Sequence, residues 1–141
     1  MRNVLAARLK SLTKCQNVRY LSQSIVNNKY FVVKDREDFV KNVMNSNIPV
    51  IVNFHAEWCD PCHALTPKLI EMVKDSEDII LAEVDIEKHA ELVHTFEVKA
   101  VPAVIGIKNG IVVDKFIGVA DKATINKLIQ NLQQNPSQHQ S

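Results

Sequence analysis

The chain has 141 residues, enough for one domain with a single hydrophobic core. With 46% hydrophobic and 23% charged residues it resembles soluble globular proteins, and no apolar run approaches the roughly 20 residues of a membrane helix. Seven basic and no acidic residues precede Asp35, whereas 10 basic and 16 acidic residues lie from there onward. The acidic folded part argues against nucleic acid as a partner, and the missing apolar run argues against a membrane.

Residues 1–28 have the pattern of a targeting segment. Apolar residues fall on one side of a helix at Val4, Leu5, Leu9 and Leu12. An amphipathic, acid-free start without an apolar secretory core is typical of a mitochondrial transit peptide. Arg19–Ser22 resembles a matrix-protease site, so we expect a mature protein that begins near Leu21 in the mitochondrial matrix. The alternative is that the segment is a disordered basic arm. If it is a transit peptide, Cys15 is removed together with it.

The first elements of the folded part are a strand, a helix and a second strand. Lys29–Lys34 is predicted to be a short strand, and Asp35 can cap the helix after it. The apolar positions of that helix are Phe39, Val40, Val43 and Met44. Pro49 then begins an almost continuous apolar run to His55, which is typical of a strand buried on both faces.

The helix after this strand is predicted to begin at Cys59 and to end near Lys74. Its inward-facing residues are Leu65, Leu69, Met72 and Val73. Pro67 lies inside it and is expected to bend it, because proline removes a helical hydrogen bond.

The second half of the chain adds three strands and two helices. The predicted elements are a strand at Ile79–Ile86, a helix around His89–Phe96, strands at Pro102–Lys108 and Ile111–Ile117 joined by an Asn109–Gly110 turn, and a helix at Asp121–Leu132. The order βαβαβαββα predicts parallel strands joined by helices, then a hairpin and a covering helix. We expect the domain to occupy residues 29–133 and a disordered tail to occupy 134–141.

Cys59 and Cys62 are the cysteines of this folded part, and they sit where the buried strand gives way to a helix. A helix start favours a thiolate at Cys59, through the helix dipole and unpaired N–H groups. Two intervening residues place Cys62 one turn on, close enough to form a disulfide but farther from solvent. Cys59 can therefore attack a substrate disulfide and Cys62 can resolve the mixed disulfide. Such a pair also suggests a compartment that keeps thiols reduced.

Several separated motifs make the chain resemble the thioredoxin family, and in view of its leader a mitochondrial member. The motifs are Phe54–Cys59 followed by Pro61 and Cys62, the helix proline Pro67, the Val101–Pro102 pair, the turn Lys108–Gly110, and Gly118. The resemblance covers about residues 29–133. It implies an α/β fold with a central mixed sheet of about five strands flanked by helices.

The resemblance also implies a function, protein-disulfide reduction, and a set of site residues. Cys59 and Cys62 would be catalytic, and the substrate-binding residues would be Trp58, Asp60, Pro61, Val101, Pro102 and Gly118. Val101–Pro102 matches a cis-proline that lies beside the dithiol in the family. No cofactor beyond the redox-active disulfide and no metal is implied. The implied partners are thioredoxin reductase and disulfide-containing proteins such as peroxiredoxins, and the implied state is a monomer.

Three residues depart from the family pattern. Asp60 replaces a glycine, Asn53 stands where the family has a buried aspartate, and Glu83 stands where it often has a lysine. Asn53 does not titrate, so it cannot move a proton off Cys62. Glu83 is on the strand expected beside Asn53 and could supply a carboxylate, although a solvent-facing position for Glu83 is slightly favoured.

Three alternative functions fit parts of the pattern. Cys59–His63 spells the attachment motif for c-type haem, but Pro61 and the strand–helix context argue against it. A zinc site would need His55 and His63 as further ligands, and their spacing is irregular. A redox-sensing or binding module with slow turnover is the stronger alternative, because of Asn53. The other histidines, at 89, 94 and 139, are expected at the surface.

Overall fold

A computed structural model describes residues 29–134, and these form a sheet with helices on both faces. The strands are β1 (Tyr30–Val32), β2 (Val50–His55), β3 (Ile80–Asp85), β4 (Ala103–Lys108) and β5 (Ile111–Ile117). The helices are α1 (Arg36–Phe39), which continues as a π-helical turn (Val40–Met44), α2 (Asp60–Lys74), α3 (Ala90–Thr95) and α4 (Lys122–Gln133). The predicted element order is confirmed. The predicted transit peptide lies outside the described residues, as does the predicted tail from residue 135 onward. No described helix is long and apolar enough to cross a bilayer.

The sheet is mixed, with the strand order β1-β3-β2-β4-β5. β3 pairs in parallel with both β1 and β2, whereas β4 is antiparallel to β2 and to β5. β2 and β3 therefore lie inside the sheet, which explains their apolar sequences. In this register Asn53 is directly opposite Glu83 on one side and Val104 on the other.

Each face of the sheet packs against a different pair of helices. On one face, β2 and β3 pack with Phe39 and Val43 of the first helical segment and Leu92 of α3. On the opposite face, Ile51 and Leu81 pack against the buried side chains of α2 and α4. The dithiol is at the end of β2, where α2 begins.

Polar side chains cap two of the helices, and the cap at Asp35 is the one that the sequence predicts. Asp35 accepts a hydrogen bond from the Asp38 backbone N–H at 2.8 Å, and Asp121 accepts one from the Thr124 N–H at 2.8 Å. In α2 the cap is Cys59 itself, one residue before the first helical residue, so the predicted helix start was one position early.

The hairpin between β4 and β5 has the predicted turn. Asn109 and Gly110 both have positive φ, 52° and 74°, as a two-residue turn of this kind requires. β5 forms an edge of the sheet, and its exposed apolar residues are Ile111, Val112, Val113 and Ile117. The strand pairing shifts between Gly106 and Ile107, opposite the middle of β5.

Two burial predictions outside the site were wrong. Val40 is 41% exposed, because it lies beside, and not within, the stripe of the helix that buries Phe39 and Val43. His89 is 6% exposed rather than on the surface, because it caps α3 and its Nε2 lies 3.1 Å from the Val33 carbonyl oxygen. Met72, predicted to face inward, is half-buried, whereas His94 is exposed as expected. His139 lies outside the described residues.

Candidate active site

The junction between β2 and α2 holds the two cysteines. Cys59 has extended backbone angles, and its Sγ accepts the Cys62 backbone N–H at 3.2 Å. Pro61 occupies the first turn of α2, where its missing N–H removes no helical hydrogen bond. The Cys59 sulfur thus meets an unpaired N–H group at the positive end of a 15-residue helix, which favours a thiolate when the pair is reduced.

The two cysteines form a disulfide. Their Cα atoms are 5.3 Å apart, within the usual range for a disulfide. Cys59 is 4% exposed and Cys62 only 1%, and both pack with Ala56. Ile86 and Val101 complete this apolar pocket. Both cysteines are therefore largely shielded from solvent, and Cys59 has the larger of the two small exposures.

The Val101–Pro102 peptide bond lies beside the disulfide and is cis, as the resemblance implies. The Pro102 carbonyl oxygen accepts the Gly118 backbone N–H at 2.8 Å. Gly118 has φ of 90°, a conformation that strongly favours glycine. The segment before β4 and the end of β5 are thereby held together next to the dithiol.

The surface around Cys59 combines an apolar platform with negative charge. Trp58 is 66% exposed, although buried apolar contact is the usual environment of such a large ring. Val119, after Gly118, is 58% exposed. Glu57 and Asp60 are both exposed on either side of Trp58 and Cys59.

Behind the dithiol lies Asn53, which is fully buried on β2. Its Nδ2 donates to Thr66 Oγ1 of α2 at 3.0 Å, but its Oδ1 has no hydrogen-bond partner among the described residues. An unpaired buried acceptor costs about 1–3 kcal/mol, so this site sacrifices stability.

Glu83, directly opposite Asn53, does not face solvent. The favoured expectation for it was wrong: the residue is 8% exposed, because β1 covers the outer side of β3 and Tyr30 reaches over it. The Tyr30 hydroxyl donates a hydrogen bond to Glu83 Oε2, and His55 Nε2 lies 3.5 Å from Glu83 Oε1. Burial, together with the hydrogen bond and negative charge of Glu83, raises the pKa of Tyr30 to about 12.

An open cavity of about 460 Å³ lies between the strand ends and the first turns of α2. Its lining residues are His55, Glu57, His63, Thr66, Pro67, Glu83, Asp85 and Lys88. Burial by itself would raise the pKa of Asp85. The Glu87 backbone N–H and Lys88 Nζ, which lies 3.2 Å from Asp85 Oδ2, both donate to this carboxylate, and together they lower its pKa below the usual value. Among the described residues, no three His, Cys, Asp or Glu groups are placed to hold a metal ion.

The structure brings most of the sequence-predicted site residues together. Cys59, Cys62 and Val101 share one pocket, while Asn53 and Glu83 form a polar layer behind it. Tyr30 and His55 are the residues that sequence reasoning missed as partners of Glu83. The strand register could have indicated both. Residues paired in register on parallel strands face the same side of the sheet, as do residues two positions apart on one strand, so Tyr30, His55 and Glu83 share a face.

The chain is similar to known proteins both in sequence and in fold. The family model called Thioredoxin matches residues 30–131. The protein named "Thioredoxin, mitochondrial" from Mus musculus is 47% identical over 103 residues, which cover 72% of this chain and 62% of that protein. "Probable thioredoxin-2" from Caenorhabditis elegans is 39% identical over 103 residues, covering 72% of this chain and 71% of that protein. The match spans less than two thirds of the length of the mouse relative.

Solved structures agree with the fold. A thioredoxin from Halobacterium salinarum superposes with a TM-score of 0.67 at 24% identity, covering 77% of this chain and 96% of that one. A thioredoxin from Malassezia sympodialis superposes with a TM-score of 0.65 at 20% identity, covering 71% of this chain and 88% of that one.

Proposed function

The chain belongs to the thioredoxin family, and from this premise we propose that it is a thiol–disulfide oxidoreductase that reduces protein disulfides through Cys59 and Cys62. The observation that carries the proposal is the Cys59–Cys62 disulfide at the start of α2, where Cys59 Sγ accepts the Cys62 N–H. A hydrogen-bonded sulfur at a helix N-terminus has the electrostatic environment of a reactive thiolate.

The reaction runs in two exchanges. The Cys59 thiolate attacks one sulfur of the substrate disulfide, and the other substrate sulfur leaves with the bonding electron pair and takes up a proton. Cys62 then attacks Cys59 Sγ, releases the second substrate sulfur and closes the disulfide seen here. The substrate gains two electrons, and thioredoxin reductase would return two electrons to the pair.

We assign substrate binding to the surroundings of Cys59. Trp58, Asp60 and Pro61 are exposed there, Val101 and Gly118 are half-buried, and Pro102 is buried. The 66% exposure of Trp58 supports a platform role, since a large ring in water gains free energy when a partner covers it. The link between Pro102 and Gly118 supports a groove beside the dithiol for an extended segment of the substrate.

The relatives' names favour a reductase over the slow-turnover sensing module, since they are called thioredoxins. An insulin-reduction assay tests the choice. The parent protein should reduce insulin catalytically, and Cys59→Ser should abolish the activity. Cys62→Ser should instead trap mixed disulfides with partners. If Cys59→Ser does the trapping and Cys62→Ser does not, the roles of the two thiols are reversed.

Cellular location and partners are part of the proposal. Mammalian relatives at 44–47% identity are named mitochondrial, which supports a mitochondrial protein, and we place it in the matrix. Residues 1–28 would be the transit peptide, 29–133 the thioredoxin domain and 134–141 a tail. Mass spectrometry of the protein from mitochondria should find the first 20–28 residues removed, as estimated from the leader pattern. An intact Met1 would contradict the assignment.

Protein substrates would include peroxiredoxins, and the protein would act as a monomer. Trapping with Cys62→Ser in a matrix extract, followed by peptide identification, tests the substrates. Cys59→Ser/Cys62→Ser is the matched control, because it keeps the fold but removes both sulfurs that could form a mixed disulfide. Peroxiredoxin peptides that appear equally in both samples would contradict the assignment.

A further inference from the structure

We propose that Glu83, held between Tyr30 and His55, accepts the proton of the Cys62 thiol when Cys62 resolves the mixed disulfide. The inference rests on the proposed function, and it deepens that function by naming the base. Asn53 stands where the family has a buried aspartate, but an amide side chain does not titrate in the physiological range. Asn53 therefore cannot be this base.

Glu83 has surroundings that a purely structural carboxylate would not need. A buried carboxylate is costly unless a cation neutralises it. Yet no lysine or arginine within residues 29–134 forms an ion pair with Glu83, and the neighbouring group is the His55 imidazole, whose Nε2 lies 3.5 Å from Glu83 Oε1. Its oxygen atoms therefore keep the capacity to accept a proton.

Tyr30 fixes the position of this carboxylate. The pKa of Tyr30 is raised to about 12, so its hydroxyl keeps its proton throughout the physiological range and donates a hydrogen bond to Glu83 Oε2. A carboxylate oxygen that accepts such a bond is held in one place. Tyr30 and His55 are thus positioning residues, and the proton goes to Glu83.

Glu83 lies on the face of the sheet toward α2, the helix that contains Cys62 and Thr66. Glu83 is paired in register with Asn53, and Asn53 Nδ2 donates to Thr66 Oγ1 at 3.0 Å. Thr66 follows Cys62 by one helical turn and lies on the same side of α2. Glu83 and Thr66 both line the open cavity of about 460 Å³, which is wide enough for water to carry a proton.

Other titratable groups around the cavity fit the role less well. They are Tyr30 from β1, His55 from β2, Asp85 from β3, His63 from α2, and Glu57 and Lys88 at the rim. Asp85 is neutralised by Lys88, and its lowered pKa makes it a weaker base. Glu57 and His63 are exposed. Glu83 alone in this set is both a carboxylate and buried beside Asn53.

The step balances in atoms and electrons. The S–H bond of Cys62 breaks and its proton passes through water to a carboxylate oxygen of Glu83. The Cys62 sulfur forms a bond to Cys59 Sγ, and the bond from Cys59 to the substrate sulfur breaks. The departing sulfur carries the electron pair away and takes a proton back from the Glu83 carboxyl group through water.

A two-phase reaction separates this step from the attack by Cys59. The full chain is reduced and mixed with a symmetrical nitrobenzoate disulfide whose released thiolate is coloured. Attack by Cys59 releases the first thiolate and resolution by Cys62 releases the second. Glu83→Gln should slow the second phase by at least about tenfold near pH 7 and leave the first within about twofold. Glu87→Gln, an exposed neighbour, is the control and should change neither phase.

A second phase at the parent rate in Glu83→Gln would overturn the inference and leave the proposed function intact. A parent protein without the first phase would overturn the proposed function itself. Asn53→Asp in the Glu83→Gln background should restore the second phase, because it returns a carboxylate to the same layer. No recovery in that double variant would also count against the inference.

Tyr30→Phe provides a readout that a structural role would not move. Tyr30→Phe removes the hydroxyl that positions Glu83 and leaves the carboxylate present. The second phase should therefore slow by about two- to tenfold, the equivalent of one hydrogen bond, whereas the first phase should keep its rate. A second phase at the parent rate in a folded Tyr30→Phe protein would overturn the part assigned to Tyr30.

Discussion

Alternate residues of β2 and β3 face two very different environments. On the face toward α1 and α3, the strands present Val52, Phe54, Ala82 and Val84, all completely buried in an apolar cluster. On the face toward α2, the same strands begin with apolar residues and become polar toward their carboxyl ends. The residues there are Ile51, Asn53 and His55 on β2 and Leu81, Glu83 and Asp85 on β3.

The difference shows where this fold gains stability and where it gives stability up. The apolar face has complementary packing and no polar atom to satisfy. The polar face holds an unpaired amide oxygen and a buried carboxylate, both costly, at the place where α2 presents the dithiol. Changes on the first face should act on folding, and changes on the second should act on chemistry.

The largest effect is expected for Phe54→Ala on the apolar face. Phe54 is fully buried, and its ring centroid lies 5.9 Å from that of Phe96. Truncation should lower the free energy of unfolding by about 3–5 kcal/mol, through lost burial and a cavity. Denaturant unfolding of the oxidised protein measures it. Trp58→Ala, at an exposed aromatic, is the control and should change stability by less than about 0.5 kcal/mol. A loss below about 1 kcal/mol for Phe54→Ala would remove the contrast between the faces.

Asn53→Leu should have the opposite sign. Leucine keeps the volume and removes the unpaired Oδ1, so the free energy of unfolding should rise by about 1–2 kcal/mol. Thr66 Oγ1 then loses the hydrogen bond donated by the Asn53 amide. Because Thr66 is half-buried, a water molecule can donate that hydrogen bond instead. Asn42→Leu is the control, because the Asn42 amide has a partner, Asp38 at 2.6 Å, and should lose stability. Destabilisation by Asn53→Leu would mean that the amide is a net stabilising group.

Tyr30 should make stability depend on pH in the alkaline range. Its pKa is raised from 10.0 to about 12 in the folded protein, so its contribution is complete below pH 10 and is lost as pH rises toward 12. The loss should be about 1 kcal/mol once solvent screening is allowed for. Unfolding curves between these pH values, compared for the parent and Tyr30→Phe, measure it. Equal slopes in the two proteins would contradict the assignment to Tyr30.

Asp60 should give the smallest effect, because it is exposed and water screens its charge. Repulsion between two charges about 6 Å apart in water is about 0.7 kcal/mol, or roughly threefold in the thiolate population. Asp60→Asn should therefore speed the attack by Cys59 about two- to threefold at pH 7, with Asp60→Gly as the family-like comparison. High salt should reduce the difference, since it screens exposed charges. A slower attack in Asp60→Asn would contradict the repulsion argument.

Local patterns were sufficient to predict most of the fold. The apolar run of β2, the cap at Asp35 and the Asn109–Gly110 turn each depend on neighbouring residues alone, and each appears in the structure. Cys59 and Cys62 were identified for the same reason, since their spacing and their place at a strand–helix junction are local features. Val40 escaped this reasoning because it lies at the edge of the buried stripe of its helix, where apolar character alone does not determine burial.

The environment of Glu83 could not be derived from local patterns. Glu83 is buried because β1 lies next to β3 in the sheet. The sequence of the first strand does not by itself determine which strand it pairs with. The contact from Tyr30 joins residues 53 positions apart. His89 is buried for a similar reason, through its contact with Val33 across 56 positions. Long-range pairing therefore determines which polar residues are buried.

The edge strand β5 has a consequence for behaviour at high concentration. A long edge with exposed valines and isoleucines is a template for pairing between molecules. Here Asp114 and Lys115 interrupt the apolar residues, and the pairing with β4 shifts beside them. Asp114 is also tied to α4 by the Asn131 Nδ2 at 2.7 Å. We therefore expect Asp114, Lys115 and the irregular pairing to protect this edge against pairing with a second molecule, at a place remote in sequence from the dithiol.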